Sequence, residues 1–100
     1  MDQTTSQFNE KTFSTRDLYL AATFMTLRFP LIGIDFQIEG TRPHPIGYFQ
    51  FENTEQLMDA KRLYMQSMLS VEPKLFVANM DSLKAEVSNV RMNPNSRFSQ

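Results

Sequence analysis

Between Leu31 and Asn53 apolar and polar positions alternate. Ile32, Ile34, Phe36 and Ile38 take turns with Gly33, Asp35, Gln37 and Glu39. On an extended chain a period of two puts the apolar set on one face and the polar set on the other. The run Ile46–Glu52 repeats the signal, with Gly47, Phe49 and Phe51 on one face and Tyr48, Gln50 and Glu52 on the other. β-branched and aromatic residues dominate both runs, as strands prefer. Gly40, Pro43 and Pro45 interrupt the pattern between them, because proline has no N–H to give a ladder. The pattern predicts an antiparallel β-hairpin. Two strands alone are marginal in water, so helices must cover the apolar face.

Helical spacing flanks the hairpin on both sides. Phe13-Ser14-Thr15-Arg16-Asp17-Leu18 reads as a helix start, with Ser14 as N-cap, Asp17 reaching back to it, and Phe13 and Leu18 as a hydrophobic staple. The helix then runs from Thr15 to about Leu27. Leu18, Ala21, Ala22 and Met25 form one apolar stripe, and Leu20, Phe24 and Leu27 lie nearly opposite. A helix apolar on both sides is either central to its own domain or shared with a partner. Phe29-Pro30 ends it, since a residue before proline is pushed out of the α region. After the hairpin, Asn53 or Thr54 caps a second helix to about Leu69. Leu57, Ala60, Tyr64 and Met68 share one face of it, Met58, Met65 and Leu69 make a neighbouring stripe, and the Lys61 stem covers apolar surface between them. Pro73 suits the first turn of a third helix, Pro73–Asn89. Its stripe of Phe76, Met80, Leu83, Val87 and Val90 spans only two heptads and suits packing on the domain better than a coiled coil. The expected architecture is one small α+β domain of order α-β-β-α-α over residues 13–91. Residues 1–12 read as a flexible lead-in in which only Phe8 docks, and residues 92–100 as a tail with Arg97 and Phe98 exposed.

Composition narrows the class. One hundred residues, 41% of them hydrophobic, suit a single core. A net charge of −1 gives no strong pull toward nucleic acid or acidic membranes. The chain has no Cys, so thiol chemistry and zinc–thiolate sites are excluded, and a reducing compartment is expected. The opening residues lack the basic and apolar regions of a signal peptide, and no apolar run nears the roughly 20 residues of a membrane helix. The expectation is a soluble protein of the cytoplasm.

Candidate chemistry is sparse. The single histidine, His44, sits between two prolines in the hairpin loop, with no partner in sequence to orient it as a base. Asp35 and Glu39 are separated by roughly 13 Å along a strand, too far to share an ion. Glu55, Asp59 and Arg62 read as a salt-bridged helix surface. Gly33, Gly40 and Gly47 form no phosphate-cradling motif. These positions predict no catalytic residue, no metal site and no cofactor. One binding surface would be a nucleic-acid contact formed by Arg42, His44, Tyr48, Lys61 and Arg62, in which Tyr48 stacks a base. No stripe of Lys or Arg supports it. The other is a protein interface formed by Leu20, Phe24, Leu27, Met58, Met65 and Leu69, for binding another protein or a second copy of the chain. The seven Met residues favour that reading, because Met-rich surfaces adapt to partners.

The run Phe13-Ser14-Thr15-Arg16-Asp17-Leu18-Tyr19-Leu20-Ala21-Ala22 resembles the opening of a family of short proteins from phages, plasmids and bacteria, catalogued as a domain of unknown function. Leu31-Ile32-Gly33-Ile34-Asp35, Phe49-Gln50-Phe51-Glu52, Tyr64 and Leu83-Lys84 follow in the order that the family shows. The resemblance covers about Phe13–Asn89. Arg28 departs from it where glycine is expected, and so does Met65 where Trp is common. It implies a compact α+β domain from a mobile-element setting in a bacterial cell, and it carries no activity. The function expected from residues and resemblance together is a non-catalytic interaction or oligomerisation module. A single-stranded nucleic-acid binder is the alternative.

Overall fold

In the computed structural model, residues 11–41 and 43–92 are described, with only the backbone for the last two. The elements are β1 (Thr12–Thr15), α1 (Leu18–Thr26), β2 (Leu31–Gln37), β3 (Ile46–Glu52), α2 (Glu55–Met65) and α3 (Pro73–Met92). The class is α+β, and from α1 onward the order is α-β-β-α-α. Residues 1–10 of the lead-in with Phe8, Arg42, and the tail from Asn93 with Arg97 and Phe98 lie outside the described residues.

The hairpin forms as the alternation predicts, and β1 adds to it. The sheet is antiparallel, with order β1-β3-β2. Thr12–Thr15, which takes in the expected cap residue Ser14 and the last residue of the expected lead-in, instead pairs with Phe49–Glu52. The helix therefore starts three residues later than its cap signal suggests. Asp17 is the N-cap, and its Oδ1 accepts from the amides of Tyr19 at 3.0 Å and Leu20 at 3.2 Å. Ser14 is a strand residue facing Gln50. Serine and threonine suit both an N-cap and an edge strand, so the long-range partner β3 decides between them.

The expected inward face of β2 needs two corrections. Leu31 pairs with Phe51 and Gly33 with Gln50, so Ile32 is an extra residue in a β-bulge. Past the bulge the pattern holds, and Ile34 and Phe36 face inward opposite Phe49 and Gly47. Ile32 is 58% exposed, and Leu31 takes its place against the core. Ile38 lies past the strand end and is 67% exposed.

The core sits between the sheet and the helices. Phe24 is its hub, fully buried and edge-to-face with Phe13, Phe29 and Phe51 at centroid distances of 6.0, 5.7 and 5.1 Å. α1 is central: Leu20, Ala21, Ala22, Thr23, Phe24 and Thr26 are all buried. Its two buried threonines are satisfied by back-bonding to Tyr19 and Ala22, and Asn79 of α3 donates to Thr26 Oγ1 at 3.1 Å. The α3 stripe faces the domain, with Met80, Leu83 and Val90 buried. A Cβ at Gly47 would sit 3.1 Å from both Ile34 and Phe36 and 3.5 Å from Val87, so the glycine admits close packing of β2 and α3 there.

Both α1 and α2 stop in the same way. After α1, Arg28 takes φ 76°, its amide bonds the Met25 carbonyl, and the Phe29 amide bonds the Phe24 carbonyl. After α2, Ser67 takes φ 58°, with bonds from Ser67 to Tyr64 and from Met68 to Leu63. These are Schellman caps carrying a residue other than glycine. The second ends α2 at Met65, four residues short of Leu69. Thr54 caps its start through Leu57, and Glu72 caps α3 through Lys74 and Leu75. Among the described residues no helix is long and apolar enough to cross a membrane.

Candidate functional site

The early stop of α2 builds an exposed apolar surface. On a helix continued to Leu69, Met68 would stay in line with Leu57, Ala60 and Tyr64. The left-handed turn at Ser67 takes it out of that stripe, and Met68 is 70% exposed beside a 68% exposed Met65. Tyr64 donates to Asp17 Oδ2 at 3.4 Å, which ties the end of α2 to the start of α1. Burial pushes the Tyr64 phenol above its usual range, and the nearby Asp17 charge adds to the shift. A shallow depression of about 600 Å³ lies between Asp17, Tyr64, Met65, Ser67 and Leu69. Tyr19, the residue that follows Leu18 into α1, is also exposed.

Of the six residues expected at a protein interface, only Met65 and Leu69 line this surface. Leu20 and Phe24 are core residues of the domain itself, because α1 is roofed on both sides by its own sheet and helices. Leu27 and Met58 are half-buried against the same core. Sequence periodicity missed Met68 as a surface residue, since nothing in it marks Ser67 as a helix stop.

The proposed nucleic-acid contacts do not converge. Tyr48 lies on the outer sheet face, paired with Asp35. Its hydroxyl donates to the Glu39 carboxylate, and Arg16 approaches the other Glu39 oxygen at 3.8 Å. That bond holds the Tyr48 phenol above its usual range. Two carboxylates beside the ring disfavour a phosphate there. Lys61 lies over the Phe13 ring at 5.5 Å, on the helix-covered side of the sheet. Arg62 is paired with Asp59 on α2, and His44 is exposed at the loop. Among the described residues no three His, Cys, Asp or Glu side chains gather as a metal site requires.

A second concavity lies at the hairpin end of the sheet. It has a volume of about 420 Å³ and is lined by Arg16, Leu18, Ile46, Gly47, Phe49, Lys84, Val87 and Ser88. Lys84, Val87 and Ser88 share a face of α3, being three and four residues apart. Leu18, Ile46, Phe49 and Val87 make its apolar wall, and Arg16 and Lys84 are its cations.

No family model, curated protein or solved structure matches the chain.

Proposed function

We propose that this chain is a small, non-catalytic protein-interaction module that works through the Met-rich surface at the end of α2. The exposure of Met65 and Met68 around the Tyr64–Asp17 contact carries this reading. Unbranched thioether side chains adapt to a partner's shape, and an apolar cluster left in water is stabilised by being covered. The partner is a second copy of the chain or another protein. The mobile-element setting and a bacterial cytoplasm are part of the proposal, supported by the resemblance of the Phe13–Ala22 motif. Nucleic-acid binding is the weaker reading, because Tyr48 is engaged by Glu39 while Lys61 and Arg62 point elsewhere.

The test compares the wild-type chain with a Met65→Lys, Met68→Lys double variant. Light scattering over about a hundredfold range of concentration follows self-association by mass action. Capture from a bacterial lysate with each chain as bait follows other partners. Loss of mass growth, or of a captured protein, in the variant alone supports the reading. Constant monomer mass together with identical captures by both baits refutes it.

A further inference from the structure

The concavity at the hairpin end differs in chemistry from the α2 surface. We infer that it is a binding site for a small amphipathic monoanion, a carboxylic acid with an unbranched apolar tail, held between Arg16 and Lys84 over the wall of Leu18, Ile46, Phe49 and Val87. Three observations carry this assignment.

The first is size. Ligand clefts commonly measure about 300–1,000 Å³, and this one, at about 420 Å³, falls within that range. A volume of about 30 Å³ per water-sized group makes room for on the order of fourteen non-hydrogen atoms. A medium-chain acid fits, whereas a folded polypeptide element does not.

The second is the division of the lining. The wall comes from four apolar side chains on β3, α3 and the start of α1. Its floor at Gly47 is backbone, where an added Cβ would sit a tight 3.1 Å from the side chains of Ile34 and Phe36. Apolar walls with a few placed polar groups are how such clefts orient a ligand.

The third is charge. Lys84 has no ion-pair partner among the described residues. Arg16 has one, Glu39, at a loose 3.8 Å, and its guanidinium also lies close to the Tyr48 phenol. Two cations offset by one carboxylate leave about one positive charge beside the cleft, which complements a single anionic head. Ser88 adds a hydroxyl on the same rim.

The experiment titrates the full chain with decanoate below its micellar concentration, followed by amide chemical shifts and calorimetry. Decanol and decylammonium serve as neutral and cationic probes with the same tail. Decanoate is expected to bind saturably and to shift the amides of Leu18, Gly47, Lys84, Val87 and Ser88. Decanol should bind about tenfold more weakly, and decylammonium more weakly still. Lys84→Gln should weaken decanoate about tenfold. Glu39→Gln, which releases Arg16, should strengthen it about threefold. Because Lys84 is exposed, its variant keeps the fold, and an unchanged amide spectrum verifies this. Equal binding of the three probes, shifts centred on Tyr64, Met65 and Met68 instead, or a Lys84→Gln chain that binds as wild type would each overturn the assignment.

Discussion

Arg28→Gly should stabilise the protein. Arg28 holds φ 76° at the position that closes the α1 cap, with its amide on Met25 and the next amide on Phe24. A residue with a Cβ loses about 1–2 kcal/mol in that left-handed region, through contact with the following carbonyl. Glycine adopts it freely, but its greater freedom in the unfolded chain takes back about 0.4–1 kcal/mol. The difference leaves a gain of about 1 kcal/mol, since the exposed Arg28 side chain makes no hydrogen bond or ion pair among the described residues. For a domain of this length the gain corresponds to about 4–8 °C in Tm. Urea unfolding followed by circular dichroism reads it as a higher midpoint at unchanged slope. Arg28→Ala is the control, because it removes the long side chain and keeps the Cβ. A lower midpoint for Arg28→Gly, or an equal rise for Arg28→Ala, would refute the backbone argument. In the second outcome the arginine itself, and not its φ, would be the source of the strain.

Phe24→Leu keeps most of the buried apolar volume but loses three edge-to-face contacts of about 0.5–1.5 kcal/mol each. A cost of about 2–4 kcal/mol in chemical denaturation is expected, and a cost near zero would show that the rings add nothing beyond burial. Asp17→Ala should cost about 1 kcal/mol by uncapping α1, while Ser14→Ala should change stability by less than about 0.5 kcal/mol; a reversed order would restore Ser14 as the cap. Tyr48 has its phenol pKa raised chiefly by its bond to Glu39, with desolvation and the Glu39 charge adding to it. Since the folded value exceeds the unfolded one of about 10, the associated stability is present below that pH and is lost as pH rises through the folded value. Glu39→Gln should therefore lower the Tyr48 midpoint in a tyrosinate absorbance titration, with Tyr48→Phe identifying the step. An unmoved midpoint would break the link to Glu39.

The parts of the fold legible in sequence are those that local periodicity dictates. The faces of β3 and the inward stripe of α3 follow from side-chain period alone, because each element has one environment along its length. The misreadings occur where a distant contact decides. Thr12–Thr15 is a strand only because β3 offers it a free edge, and its Ser and Thr otherwise fit a helix cap equally well. Ile32 continues a perfect alternation yet faces water, since the bulge needed to seat Leu31 against Phe51 displaces it. Ser67 ends α2 with no glycine to announce the stop, and Met68 becomes surface as a result. Leu20 and Phe24 looked like spare apolar surface because a sequence does not show that α1 is covered on both sides. The cleft was illegible for the same reason: Arg16 and Lys84 are 68 positions apart in the chain and meet only once α3 has packed across the hairpin end.

The start of α1 is where these surfaces divide. Arg16, Asp17 and Leu18 are consecutive, and each serves a different neighbour. Arg16 reaches Glu39 and the hairpin-end cleft, Asp17 caps the helix and receives Tyr64, and Leu18 forms part of the cleft wall. A chain leaving a strand and entering a helix turns its side chains through widely different directions within three residues, so adjacent positions line separate sites. The two surfaces are therefore independent in their outer residues although they share a root. Lys84→Gln should leave any self-association or protein capture unchanged, and Met65→Lys with Met68→Lys should leave decanoate binding unchanged. Asp17→Ala is the substitution that reaches both, since it loosens the cap from which Leu18 and the Tyr64 contact are set. If Lys84→Gln abolished partner binding, the two surfaces would be one, and the division at Asp17 would be wrong.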